Sequence, residues 1–273
     1  MTRILFPTDF SEFAHRAMLQ ALPIVHRMGA ELVLLNVYTI PATYAEAPAM
    51  VLGEEVERQH RLAVGHLNRY ADEIRAQYPD LPVRSIAVMG GIVHEILETA
   101  RTEQVDGIIM ATLGASGLKK VLIGSHAASV VSHAHVPVLL LPAQAVHIDI
   151  RRILYATNYA DQDQVALRQV LGLARLFEAE VDIVHIAAHD SPEEVAAFSD
   201  YCDRITVELE APGLNFRMIL SENVQEGLAE LLDAGEYDIL AMSPRRRSLL
   251  NRLFQRSETL EMAYHPVKPL LAC

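Results

Sequence analysis

Short apolar runs alternate with longer amphipathic stretches along the first half of the chain. The apolar runs are rich in Val, Ile and Leu and have the length of buried parallel strands. They predict strands at 3–7, 31–37, 83–88, 106–111 and 137–141. The stretches between them predict helices at 11–28, 53–77, 91–103 and 125–133, the first capped by Ser11 and stopped by Gly29. Strand followed by helix, repeated, predicts an α/β fold with a parallel sheet and right-handed crossovers.

The same pattern occurs a second time in the chain. The strand that begins at Ile4 recurs at Ile153, an offset of 149, whereas the run from Asp106 recurs at Asp238, an offset of 132. The second copy is therefore 17 residues shorter, all between its second and third strands. Its strands are predicted at 152–156, 180–186, 215–220, 238–242 and 269–272. With a boundary near Ile150, the sequence predicts two similar domains, 1–150 and 151–273.

Composition and charge narrow the classes of function. With 51% hydrophobic and 21% charged residues the chain is typical of a globular protein, and its net charge of −12 and lack of Trp disfavour nucleic acid as a partner. The longest apolar runs are too short for a membrane span. The two cysteines, Cys202 and Cys273, form neither a disulfide framework nor a metal-ligand spacing. We therefore expect a cytoplasmic protein without a membrane span.

Candidate chemistry lies at the carboxyl ends of the first and fourth predicted strands. In open parallel sheets the ligand crevice lies beyond these ends, so Asp9 and the stretch from Ala111 are expected to face each other. That stretch contains Gly114 and then Gly124, where the chain enters a helix at Ser125. Glycines permit positive φ and close backbone approach, and a helix amino terminus attracts anions. Such a stretch fits a phosphate, although glycine-containing connections between strands and helices are common.

The combined pattern closely resembles the universal stress protein family. The spacing from Ala111 to Gly114 and on to Gly124-Ser125 follows a Gly-x2-Gly-x9-Gly-Ser motif, an Asp follows the first strand, and the half ends in the run 133–142. The resemblance covers nearly the whole chain twice. It implies a tandem member with two α/β domains, each a five-stranded parallel sheet in the order 3-2-1-4-5 with helices on both faces.

Some members of this family bind ATP and others do not, so the resemblance has to be carried over residue by residue. It implies that Asp9 and Val37 contact the adenosine, and that Gly114, Gly124 and Ser125 hold the phosphates, with Mg²⁺ accompanying ATP. Ala111 departs from the motif's first glycine, and its methyl group either crowds the ribose or is tolerated. The remaining residues implied to line the site are Pro7, Thr8, Met110 and His126.

The second copy departs much further from the motif. Asp9 is replaced by Asn158, Ala111 by Ser243, Gly114 by Arg246 and Gly124 by Arg256, while Ser257 is retained. Two arginines cannot keep the backbone contacts of two glycines, so we expect this copy not to bind ATP in the family manner. Its arginines are either a solvated surface or a site for an anion or an acidic partner. They are Arg245, Arg246, Arg247, Arg252 and Arg256.

Two hypotheses follow, and each has a plainer alternative beside it. Either the chain is a stress-response protein that binds ATP or a related nucleotide in its first domain, or it is an interaction module that binds no nucleotide and recruits an unknown protein partner or an anion. Considered alone, Asp9 is better explained as a helix cap, and only the stretch from Ala111 that faces it favours a ligand site. No spacing indicates a catalytic nucleophile and base, so at most slow ATP hydrolysis is expected. The histidine pairs are expected to lie on solvated faces or at a helix end rather than on a metal.

Each half ends in a strand that is unusually apolar for a sheet edge. Val136–Leu141 ends the first half and Pro269–Ala272 ends the second, and an unpaired apolar edge invites association. The sequence therefore predicts that these two edges pair within one chain. The long helix, which only the first half retains in full, offers a second surface for a homodimer.

Overall fold

The computed structural model of the chain describes residues 2–44, 47–112, 124–142, 149–161, 163–211, 214–243 and 268–273. These residues form two compact units, the first ending at 142 and the second beginning at 149. Each unit is built around a parallel sheet of five strands.

The first unit has strand order β3-β2-β1-β4-β5, as the resemblance implied. The strands pair in parallel throughout, and β1 lies between β2 and β4. Its strands are β1 (Arg3–Pro7), β2 (Glu31–Tyr38), β3 (Val83–Met89), β4 (Gly107–Ala111) and β5 (Val138–Leu141). Its helices are α1 (Glu12–Arg27), α2 (Ala49–Gln77), α3 (Ile92–Thr102) and α4 (Ser125–His133), with a short 3-10 helix at Ala42–Tyr44.

The second unit repeats the arrangement with strand order β8-β7-β6-β9-β10. Its strands are β6 (Arg152–Thr157), β7 (Glu180–Ala187), β8 (Asn215–Leu220), β9 (Ile239–Met242) and β10 (Leu270–Ala272). Its helices are α5 (Asp163–Phe177), α6 (Pro192–Leu209) and α7 (Val224–Asp233). The stretch that aligns with α4 lies outside the described residues. The fold predicted from the sequence is confirmed in both units.

Local signals fix the helix ends. The side chain of Ser11 accepts a hydrogen bond from the amide of Ala14, which caps α1 as predicted, and Gly29 stops that helix with φ +59°. The long helix α2 begins at Ala49, four residues earlier than predicted, directly after Pro48. Proline is compatible with a helix start because its missing amide would have no partner there. Proline here is therefore a stronger start signal than Gly53, where the prediction began.

The length difference between the copies falls on one helix and its connections. In the first unit α2 has 29 residues and packs against β2 and β3, whereas its counterpart α6 has 18 residues. The strands on either side keep the same pairing in both units. The 17 missing residues are therefore lost from the helical layer without disturbing the sheet.

Candidate functional site

The candidate crevice lies at the carboxyl ends of two adjacent strands. Parallel pairing places Ile4 beside Gly107 and Leu5 beside Ile108, so β1 and β4 are neighbours as predicted. The two strands end at Pro7 and Ala111. The turn after β1 and the stretch after β4 therefore leave the sheet side by side.

The turn after β1 is held by its own side chains. The Thr8 hydroxyl is buried and accepts a hydrogen bond from the Phe10 amide at 3.1 Å. The exposed Asp9 accepts one from the Ser11 amide at 3.0 Å through Oδ1. Ser11, not Asp9, caps α1, so Asp9 supports the turn that leads to the cap. Phe10 adopts φ 61°, a left-handed conformation that is uncommon for a bulky residue.

Helix α2 supports this turn from one face of the sheet. The Tyr70 ring meets the Phe10 ring edge-on, with ring centroids 5.5 Å apart. Phe10 also packs on His66, with ring centroids 4.8 Å apart. Burial raises the pKa of Tyr70, and the charges of Glu73 and Asp9 add to this. The sequence analysis missed Tyr70 because nothing local connects it to Phe10, which lies far from it along the chain.

The end of β2 forms the next part of the edge. The buried Asn36 donates a hydrogen bond from Nδ2 to the Thr8 carbonyl oxygen at 2.8 Å, which fixes β2 to the turn after β1. Val37 follows and is half-buried. Because side chains alternate along a strand, Val37 projects from the face opposite to Asn36. Pro7, Thr8 and Val37 thus lie together at this edge.

On the other side of β1, the chain enters α4 close to the end of β4. The Gly124 amide donates to the Thr112 carbonyl oxygen at 2.7 Å, so the stretch between them leaves and returns at one place. The capping residue of α4 is Gly124, which has no side chain to bond the first turn, and the helix begins with the exposed residues Ser125 and His126. Its amides and dipole can therefore interact with an anion. Met110 is buried and Ala111 half-buried at the end of β4.

In the second unit, a different set of contacts holds the corresponding turn after β6. Tyr159 has φ 63°, like Phe10, and its amide donates to the Thr157 hydroxyl at 2.9 Å. Its ring stacks on His185 at 4.2 Å, and its hydroxyl donates to Glu194 Oε1 at 2.9 Å. His185 Nε2 lies 3.0 Å from the same carboxylate oxygen. Burial and the Glu194 carboxylate raise the pKa of Tyr159.

A buried carboxylate lies beneath this second turn. Asp163 is 1% exposed and accepts hydrogen bonds from the hydroxyls of Tyr155, at 2.8 Å, Tyr201, at 2.9 Å, and Thr157. Burial, followed by the charge of Asp163, raises the pKa of both tyrosines. The aligned residue in the first unit is Ala14. An Asp in the place of a buried Ala was the available sequence signal, and the sequence analysis did not use it.

The chain was compared with known protein families and structures. A family model described as the universal stress protein family matches residues 1–142. The chain belongs to the universal stress protein family.

Relatives of this universal stress protein agree with the assignment. Universal stress protein MJ0577 of Methanocaldococcus jannaschii is 30% identical over 152 residues, which cover 51% of this chain and 93% of that protein. Universal stress protein MJ0531 of the same organism is 28% identical over 142 residues, 51% of this chain and 81% of its own length. A solved universal stress protein from Archaeoglobus fulgidus has a TM-score of 0.74 at 20% identity, covering 99% of this chain and 97% of that one. The last likeness shows the fold.

Within this universal stress protein, the structure changes the interpretation of one motif glycine. Gly124 has φ −58° and ψ 148°, a conformation open to any residue, so positive φ is not the reason for glycine there. Gly114 lies outside the described residues. So do the predicted anion or partner residues Arg245, Arg246, Arg247, Arg252 and Arg256.

Another charged cluster of the second unit lies at the opposite, amino-terminal edge of its sheet. Asp182 is 3% exposed and accepts hydrogen bonds from Arg152 at 2.9 Å, Asn215 at 3.1 Å and Tyr237 at 2.6 Å. Burial and Asp182 raise the pKa of Tyr237 to about 12. Arg152, Asp182, Asn215 and Arg217 border an open cavity of about 460 Å³. Acidic partners already neutralise both arginines, so the cluster stabilises the unit rather than attracting an anion.

The histidines show no sign of a metal centre in the described part of the chain. No group of three or more His, Cys, Asp or Glu side chains there is arranged to hold a metal ion. His133 Nδ1 lies 2.8 Å from the Ser129 carbonyl oxygen within α4, and His60 contacts the Tyr38 hydroxyl at 3.2 Å. Among the described residues, none of the helices is long and apolar enough to cross a membrane.

Proposed function

We propose that this universal stress protein acts in the cytoplasm and binds ATP or a related nucleotide in its first unit. The second unit is a degenerate copy with a regulatory or structural role. The observation that supports this best is the meeting of two features at one edge of the sheet. They are the Asp9 turn after β1 and the uncapped amino terminus of α4, which begins beside the end of β4.

The order of the strands supports a direction for the nucleotide. Along the edge, Val37 lies next to the last residue of β2, Asp9 follows β1, and Ser125 begins the helix after β4. ATP has its base, ribose and phosphates in the same linear order. The base therefore lies near Val37, the ribose near Asp9, and the phosphates near Ser125 and His126. Mg²⁺ accompanies the phosphates, since it binds proteins largely through the phosphates of the substrate and a few carboxylates.

Calorimetry with the full chain tests this proposal. ATP with Mg²⁺ should bind with a stoichiometry of one per chain. Asp9→Ala should weaken binding, whereas Asn158→Ala, the matched change in the second unit, should leave it unchanged. Two sites per chain, or equal effects of the two variants, would contradict binding confined to the first unit. Repeating the titration with EDTA measures the contribution of Mg²⁺.

A second candidate function applies if the wild-type chain binds no nucleotide. Asn158 in the place of Asp9, and arginines in the place of two motif glycines, favour an interaction module that recruits an acidic partner or an anion. Replacing Arg246 and Arg256 by Gly and measuring the binding of an acidic peptide in low and high salt tests this alternative. Pairing of the two edge strands and assembly into a homodimer stay predictions.

A further inference from the structure

The first part of α2 runs past the sheet beside the candidate crevice. In each unit a tyrosine of the helix after the second strand packs on the aromatic residue of the first turn: Tyr70 of α2 at 5.5 Å and Tyr201 of α6 at 5.3 Å. Aligned on these tyrosines, Pro192, where α6 begins, falls on Arg61. Residues 49–60 of α2 therefore have no helical counterpart in the second unit. Because α2 leads away from the carboxyl edge of the sheet and Tyr70 still lies at that edge, these earlier residues lie at and beyond it.

A tyrosine and a histidine meet where this part of α2 passes the end of β2. Tyr38 is the last residue of β2, and its hydroxyl oxygen lies 3.2 Å from Nδ1 of His60, with ring centroids 5.8 Å apart. The Tyr38 carbonyl oxygen accepts a hydrogen bond from the Gly90 amide at 3.2 Å, which fixes its backbone beside the end of β3. Tyr38 is half-buried and His60 is exposed. The Tyr38 ring is thus held at the strand end while part of its surface stays open to a ligand.

The second unit has neither of these two residues. The residue aligned with Tyr38 is Ala187, which is 2% exposed, and the residue aligned with His60 is Ser191, which caps α6. Both changes fall at one place, the end of the second strand. The copy that lacks the pair is also the copy in which arginines replace two motif glycines. The tyrosine–histidine pair therefore accompanies the copy for which nucleotide binding is proposed.

We infer that Tyr38, positioned by His60, stacks on the base of the nucleotide and favours purines over pyrimidines. This inference rests on the proposed function, which puts the base near Val37. Val37 and Tyr38 are consecutive strand residues, so their side chains leave β2 on opposite faces and flank the strand end. Aromatic side chains stack on the flat faces of bases, and the two fused rings of a purine cover more of a tyrosine ring than the single ring of a pyrimidine.

Base selectivity in the full-length chain tests this role. Calorimetry with Mg²⁺ compares ATP, GTP and CTP for the wild type, Tyr38→Ala, Tyr38→Phe and His60→Ala. Tyr38→Ala removes the stacking ring and should weaken ATP and GTP binding about 5- to 100-fold and CTP binding less, so that the preference for purines narrows. Tyr38→Phe keeps the ring and should retain that preference. His60→Ala removes only the support of the ring, so its effect should be intermediate.

A second tyrosine–histidine pair of the first unit provides the matched control. Tyr78 directly follows α2, and its ring centroid lies 5.1 Å from that of His26 in α1. Here too the tyrosine is half-buried and the histidine exposed. Because Tyr78 comes shortly before β3 begins, this pair lies at the opposite, amino-terminal edge of the sheet. Tyr78→Ala should therefore leave the preference for purines unchanged.

Other outcomes separate this inference from the proposed function. Equal weakening of all three nucleotides by Tyr38→Ala would show a general structural effect and refute the stacking role, as would wild-type affinities in that variant or a wild type without a preference for purines. If Tyr38→Ala does not fold, an unchanged preference in His60→Ala refutes it instead. In these cases ATP binding by the wild type leaves the proposed function standing. A wild-type chain that binds none of the three nucleotides would overturn both.

Discussion

Removing the Asp163 carboxylate should destabilise the second unit, and adding Tyr155→Phe should restore part of the lost stability. The carboxylate accepts from three hydroxyls, and the Tyr155 side chain is fully buried. In Asp163→Ala, the Tyr155 hydroxyl loses its hydrogen-bond partner, and the hydroxyls of Thr157 and Tyr201 lose the same acceptor. An unsatisfied buried hydroxyl costs about 1–3 kcal/mol. The lost hydrogen bonds to a charged acceptor add to this, and relief of carboxylate desolvation offsets part of it. We expect a net loss of about 2–4 kcal/mol.

The diagnostic result is that the effect of Tyr155→Phe on the free energy of unfolding has opposite signs in the wild type and in Asp163→Ala. In the wild type this change removes one good hydrogen bond and should cost about 1 kcal/mol. In the Asp163→Ala background it removes an orphaned hydroxyl and should recover about 1–2 kcal/mol. The double variant then carries the first unit's own pair, Phe6 and Ala14.

Urea unfolding followed by circular dichroism measures all four proteins, since the chain has no Trp for fluorescence. Asp161→Ala, at an exposed position two residues earlier, is the control and should change stability by less than about 0.5 kcal/mol. If Tyr155→Phe destabilises the wild type and the Asp163→Ala variant equally, the reasoning is refuted. Asp163 would then not be the hydrogen-bond acceptor of the Tyr155 hydroxyl.

Three further predictions concern the first unit. Gly124→Arg should abolish ATP binding in calorimetry. It should change the free energy of unfolding by less than about 1 kcal/mol, because the φ and ψ of Gly124 suit any residue. Unchanged ATP binding would exclude this position from the site. Ala111→Gly restores the motif glycine and should tighten ATP binding if the methyl group crowds the ribose, and weaker binding would argue against crowding. The side chain of Arg58, then that of Gln59, lowers the pKa of Glu55 from 4.5 to about 2. Its stabilising contribution is therefore full above pH 4.5 and is lost as the pH falls toward 2. The stability difference between wild type and Glu55→Gln should shrink across that window in urea unfolding, and a difference independent of pH would contradict this assignment.

Regular elements could be predicted because their signals are local. The apolar runs placed the strands within one or two residues, and Ser11 marked the start of α1 through a bond to a residue three positions later. The repeat was visible because both copies keep the same strand spacing. The order of the strands did not follow from the pattern; it came from the resemblance to the family.

The contacts that hold the turns could not be predicted because they join distant residues. Tyr201 meets Asp163 across 38 positions, and Tyr70 of α2 meets Phe10 in the turn after β1. Such pairs depend on how helices pack on the sheet, which periodicity does not specify. The conformation of Gly124 could not be predicted either. Glycine permits many backbone conformations, and the sequence does not indicate which one is adopted.

The hydrogen bond between the Gly124 amide and the Thr112 carbonyl oxygen bears on which sequence changes the fold can tolerate. It joins the two ends of the stretch 113–123 where they meet the sheet. Because these two ends are joined at the sheet, residues between them can be substituted, including by residues of different charge, while the strands keep their pairing. The two copies have already diverged so far that glycines face arginines in the alignment, and both sheets keep the same order. The sequence between Thr112 and Gly124 can therefore change, in evolution or by engineering, without a change in the order of the strands.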